Sequence, residues 1–144
     1  MSLFRSLCDA PSVLPNSSKF TILNGIIYFV AGCLLMIWPA AVQTMFLDPE
    51  FSGHESALVR IVGMTVAIIG WFYFFGGRSG GRQIVAASVI DRIALVPLLL
   101  VPLALSGVFP RLLLTFAILD PVLALAAWYL LNKEQPTGNG TNPG

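Results

Sequence analysis

The apolar residues of this chain are gathered into four long blocks, and polar residues collect between them. The blocks cover residues 20–38, 56–75, 84–105 and 112–131, about 19 to 22 residues each. An α-helix rises about 1.5 Å per residue, so about 20 residues cover the hydrocarbon core of a bilayer. A strand needs only about half that length, and no period-two alternation is present. Lipid offers the backbone no hydrogen-bond partner, so a segment of this kind must satisfy its own amides as a helix. The pattern predicts an all-α membrane protein, a four-transmembrane-helix bundle.

Local signals place the ends of these helices. Pro39 closes the first. Ser52 and Glu55 have the spacing of a capping box, which starts the second near Gly53, and Gly76 with Gly77 ends it. Gly107 and Pro110 separate the third from the fourth, and Asn132 precedes a tail rich in proline and glycine. The expected organisation is a cytoplasmic or interfacial segment at 1–19, helices at about 20–38, 54–76, 84–106 and 112–131, and a disordered tail at 132–144. The first apolar run exceeds the about 7–15 residues of a signal-peptide core, which reads as a retained helix. Within residues 2–8, Leu3, Phe4 and Leu7 share one helical side, as in a surface-lying segment. A frayed tail fits the same residues.

Basic residues orient the bundle. Arg5, Lys19, Arg78, Arg82 and Lys133 fall on the side of the N-terminus, against Arg111 and Arg60 on the other, so both termini are expected to be cytoplasmic. Trp38, Trp71, Tyr73, Trp128 and Tyr129 stand near helix ends, where amphipathic rings favour the interface. Composition agrees with this reading: 56% of residues are hydrophobic and 10% charged, against about 25% charged in a soluble domain. Mean hydropathy is +0.82. A net charge of +1 gives no field for nucleic acid. Cys8 and Cys33 lie in no metal-binding or redox spacing.

Glycines mark a contact face. Gly25 and Gly32 are seven residues apart, as are Gly63, Gly70 and Gly77. That repeat keeps one stripe toward a partner, and small residues let membrane helices approach closely. A tight antiparallel pair of the first two helices is expected. Pro97 and Pro102 in the third helix and Pro121 in the fourth each remove an amide donor and favour a kink.

The candidate chemistry lies inside the spans. Arg60, Asp91, Arg92 and Asp120 each cost roughly 2.5 to 3.5 kcal/mol at mid-bilayer, so they should face the interior and pair. Either arginine could approach Asp120. Asp91 and Arg92 diverge by about 100° around their helix, which sends Asp91 toward another helix or the interface. Asn24, Tyr28 and Tyr73 fall at the level of Arg92, giving an interior cluster of Asn24, Tyr28, Tyr73, Asp91 and Arg92 with Arg60 and Asp120 further out. Such charges fix helix register, or they mark a pocket or proton path. Asp48, Glu50, His54 and Glu55 read as a solvated loop, and the lone histidine excludes a multi-histidine metal site. No nucleotide, nucleophile or cofactor motif is present, so no cofactor is expected.

The segment ALVRIVGMTVAIIGWFYFF followed by SVIDRIAL resembles small four-helix bacterial membrane proteins of the broad DoxX-like kind. The resemblance rests on Arg60, Gly63, Gly70 and Arg92, and it implies the architecture and a bacterial inner membrane. The expected function is a non-enzymatic accessory or scaffold subunit of a membrane complex, with the bilayer and other membrane subunits or further copies as partners. The alternative is a small transporter or binder of a hydrophobic or protonated ligand that uses the Asp/Arg cluster. An enzyme acting on lipids ranks below both.

Overall fold

The computed structural model describes residues 11–134 and is all-helical there. Helices α1 (Asn16–Ile37), α3 (Glu55–Arg78), α4 (Arg82–Leu105) and α5 (Pro110–Lys133) are long and apolar enough to cross a membrane. A short helix, α2 (Pro39–Phe46), joins α1 to α3. The expected surface segment at 2–8 and the tail beyond residue 134 lie outside the described residues.

Two helix ends depart from expectation for a physical reason. Helix α1 begins at Asn16, so Ser17, Ser18 and Lys19 are helical and the two serines are buried. The amide and hydroxyl of Ser17 both donate to the carboxylate of Glu134, the residue that follows α5. One helix end thus caps another, which no local pattern encodes. Pro39 does stop α1, but it also opens α2, where its missing amide costs nothing at the first helical position. Helix α2 ends with Leu47 in the left-handed region (φ 56°) and the Asp48 amide bonded to the carbonyl of Gln43.

The glycine stripes set the tightest contact. A Cβ on Gly32 would lie 2.3 Å from the amide nitrogen of Ala67, and one on Gly70 would lie 2.3 Å from that of Phe29. On Gly25 it would meet the Phe74 nitrogen at 2.4 Å, and on Gly63 the Met36 nitrogen at 2.6 Å. Helices α1 and α3 therefore touch backbone to backbone along most of their length. Helix α5 lies against α4 and the other side of α1, whereas α3 and α4 meet chiefly near their shared turn.

Helix α4 is irregular. Residues Asp91–Leu95 form a π-turn in which the amide of Val96 bonds the carbonyl of Asp91. Pro97 has no amide, and its ring crowds the carbonyl four residues back, so the turn ahead of it widens. The irregularity expected at Pro97 thus appears one turn earlier, around Arg92.

Cores form at both ends of the bundle. Leu35, Val42, Val59 and Leu112 pack with Phe46, Phe51, Phe109 and Phe116 at the end near α2. Val89, Ala124, Ala127 and Phe20 pack at the other, near end, where α1 starts.

Candidate functional site

Six charged side chains at the helix ends are engaged in closing the backbone. Arg60 is exposed and donates to the carbonyls of Met36 at 2.7 Å and Ile37 at 3.4 Å, the last carbonyls of α1. Expected to face the interior and pair, further out than the cluster, it instead turns to the C-terminus of α1, which a long side chain one turn into α3 can reach. Asp48 is buried, not part of a solvated loop, and accepts from the amides of Arg111 at 3.1 Å and Leu112 at 3.0 Å. It therefore caps the N-terminus of α5. Arg111 donates to the carbonyl of Leu47. Glu55 accepts from the Ser52 amide at 2.6 Å, one half of a capping box.

At the near end, Arg82 donates to the carbonyls of Leu131 and Glu134, both at 3.3 Å. Glu134 takes two hydrogen bonds from Ser17. Desolvation pushes its carboxyl upward, but the hydrogen bonds from Ser17 and Asn16 and the charge of Arg82 outweigh it and hold the group below the usual glutamate range.

A different arrangement lies where α1, α3, α4 and α5 converge. Asp120 on α5 is 4% exposed and accepts a hydrogen bond from the hydroxyl of Tyr28 on α1. Asp91 on α4 accepts from the hydroxyl of Tyr73 on α3 at 3.1 Å. The two tyrosine rings meet edge to face, 5.7 Å between centroids at 67°. Over both rings lies the guanidinium of Arg92, 5.3 Å from the Tyr28 centroid and 4.5 Å from that of Tyr73. The order Asp120, Tyr28, Arg92, Tyr73, Asp91 crosses all four long helices.

The expected arginine–aspartate pair does not form. Tyrosine hydroxyls occupy the carboxylates, and Arg92 turns to the tyrosine faces. Its guanidinium acts on Tyr73 through the ring face, 4.5 Å from the centroid. Arg92 is 1% exposed, yet Nε, Nη1 and Nη2 all lack a hydrogen-bond partner among the described residues. Asn24, 0% exposed one turn before Tyr28, has neither Nδ2 nor Oδ1 bonded. Tyr73, which was also a candidate interface ring, is buried in this joint, while Trp38, Trp71, Trp128 and Tyr129 are exposed.

The structure thus brings together Tyr28, Tyr73, Asp91, Arg92 and Asp120, buries Asn24 one turn before Tyr28, and sends Arg60 elsewhere. Gly25, Gly32, Gly63 and Gly70 supply the close approach of α1 to α3 that sets Tyr28 against Tyr73. The helix-end roles of Ser17, Asp48, Arg82 and Glu134 carry no local signal, because their partners are 49 to 117 residues away. Set against known proteins, the chain matches no family model, no curated protein and no solved structure.

Proposed function

We propose that this chain is a multi-pass membrane protein that works by binding a ligand at the joint of its four helices, with no chemistry of its own. The observation that carries this reading is Arg92: buried at 1% exposure, with three nitrogens unbonded. A guanidinium brings five N–H donors, and leaving buried donors unmet is costly. Arg60, Arg82 and Arg111, by contrast, each bond a backbone carbonyl at a helix end. A charge kept only to fix register would be expected to end in the same way, on an acceptor.

Scaffolding of a membrane complex draws less support from this geometry. The polar joint is enclosed, so a partner subunit resting on the outside of the bundle cannot reach Arg92. Lysine and arginine weighted toward the near end support a cytoplasmic position for that end. The resemblance of Arg60, Gly63, Gly70 and Arg92 to small DoxX-like membrane proteins favours a bacterial inner membrane.

The test uses the full chain, extracted in mild detergent and washed. Mass spectrometry of its organic extract should find a small molecule in near-stoichiometric amount with the wild type and with Arg60→Gln, and little with Arg92→Met. Equal retention in all three overturns the reading. Co-purification at fixed ratio with another membrane protein, without a small molecule, replaces it with the scaffold.

A further inference from the structure

We infer that the ligand of this joint is an uncharged, lipid-soluble molecule bearing a carbonyl oxygen, of the diacylglycerol class. The inference rests on the binding role proposed above and narrows the ligand. Three observations bear on it.

The first is what the joint lacks. Arg92 Nε, Nη1 and Nη2 and Asn24 Nδ2 are donors without acceptors. The complementary group is one or more oxygens with free lone pairs, which carbonyls, carboxylates and phosphates all provide.

The second is charge. One guanidinium lies in a joint that also holds the carboxyl groups of Asp91 and Asp120, each taken up by a tyrosine hydroxyl. The joint thus holds two acidic groups for one cation. A further anion would meet those carboxylates at close quarters in a low-dielectric setting, where like charges repel strongly. A neutral carbonyl fills the open donors without adding charge.

The third is depth. Arg92 is ten residues beyond Arg82, the first residue of α4, so it sits about 15 Å along the helix from that end. An ionised headgroup would have to leave the interface to reach it. An uncharged head partitions deeper and approaches from within the hydrocarbon. The joint is closed, and the thinly packed seam between α3 and α4 is where such a molecule would have to enter. Beyond its first turns α4 leans on α5 and not on α3, and Ile93, Leu95, Leu98 and Leu99 are exposed around and above Arg92. Parting α3 from α4 there breaks the Tyr73–Asp91 hydrogen bond and the stacking of Arg92 on Tyr73, and a carbonyl bonded to Arg92 would offset that loss.

The experiment places the full-length protein in nanodiscs containing diacylglycerol with a photoreactive diazirine in one chain. A parallel sample carries diazirine phosphatidic acid. After illumination, labelled peptides are mapped by mass spectrometry. Diacylglycerol should label peptides containing Tyr28, Tyr73 or Arg92, with competition by unlabelled diacylglycerol and a tenfold or greater loss in Arg92→Met. Asn24→Leu, which keeps Arg92, should weaken labelling to a lesser degree and guards against a folding defect in the first variant. Preferential labelling of the joint by phosphatidic acid overturns the neutral class but leaves a ligand-binding joint. Diacylglycerol labelling that is unchanged in both variants marks ordinary lipid contact and overturns the inference. No labelling of the joint by either lipid overturns it too, and with an empty organic extract the binding role also falls.

Discussion

The guanidinium carbon of Arg92 lies 4.5 Å above the ring centre of Tyr73, while the hydroxyl of that ring is given to Asp91. The cation is thus stabilised by a ring face and not by a carboxylate. Such stacking contributes about 2 kcal/mol or more when desolvated, less than a well-bonded guanidinium would gain. Keeping the three nitrogens of Arg92 buried without hydrogen-bond partners carries a penalty of comparable size, about 1–3 kcal/mol. Arg92→Met is therefore expected to change unfolding stability by less than about 1 kcal/mol while abolishing ligand retention. Thermal unfolding in detergent, run beside the extraction assay, checks this. A loss of about 3–5 kcal/mol would instead mark Arg92 as one half of a structural pair.

Tyr28 and Asp120 should behave asymmetrically. Asp120→Asn keeps an oxygen to accept the Tyr28 hydroxyl, so folding should survive with a loss below about 1 kcal/mol. Asp120→Leu leaves that hydroxyl buried and unpaired, at a cost of about 1–3 kcal/mol. Tyr28→Phe should cost a similar amount by stranding the carboxylate, and it keeps the ring beneath Arg92. Denaturation midpoints of the three variants decide the matter: equal losses for Asn and Leu would mean that the hydrogen bond carries no stability.

The α1–α3 contact makes a sharper demand. A methyl group on Gly32 would stand 2.3 Å from the Ala67 nitrogen and 2.6 Å from the Gly63 oxygen, both backbone atoms that no rotamer change can move. Gly32→Ala should therefore push the helices apart and cost about 3 kcal/mol, at the upper end for overpacking. Gly32→Ala combined with Gly63→Ala should cost less than the sum of the two, because one separation relieves both clashes. Thermal melts of the two single variants and the double variant would show this; strict additivity would mean the helices had not moved.

The parts legible in the sequence are those set by one helix acting alone. Four spanning-length helices follow from apolar run length, and the α1–α3 stripe follows from the seven-residue glycine spacing. The grouping of Tyr28, Tyr73, Asp91 and Arg92 follows from their levels along the helices, whereas Asp120, expected further out with Arg60, joins them through Tyr28. What was not legible depends on which long side chain reaches which neighbour. Arg60 reaches back to the end of α1 because that terminus has unpaired carbonyls within its length. Asp48 caps α5 across 63 residues of chain. Helix α2 was hidden because it is too short to span a membrane and begins at a proline that reads equally well as a stop. The π-turn at Asp91–Leu95 follows from Pro97, but only the folded chain shows that it falls on the residue carrying the site.

The contact between Ser17 and Glu134 gives the near end of the bundle a pH dependence of definite sign. In the folded chain the Glu134 carboxyl is held below the ordinary value of 4.5, with burial opposed and outweighed by the Ser17 and Asn16 hydrogen bonds and by Arg82. Unfolding returns it to that ordinary value, so the unfolded chain binds the proton more readily. The contribution of this group to stability is then complete above about 4.5 and is lost as pH falls through the depressed folded value. Between pH 6 and 8 the difference in melting temperature between wild type and Glu134→Gln should be constant, with the wild type more stable. As pH drops below the ordinary glutamate range, the two melting curves should converge, because protonated Glu134 resembles glutamine. Fraying should begin at the start of α1, so amide exchange at Ser17 and Ser18 should rise in Glu134→Gln at neutral pH while exchange at the glycine-packed middle of α1 stays slow. A difference that widened toward acid pH would place the stabilising proton on the folded form and refute this account of the latch.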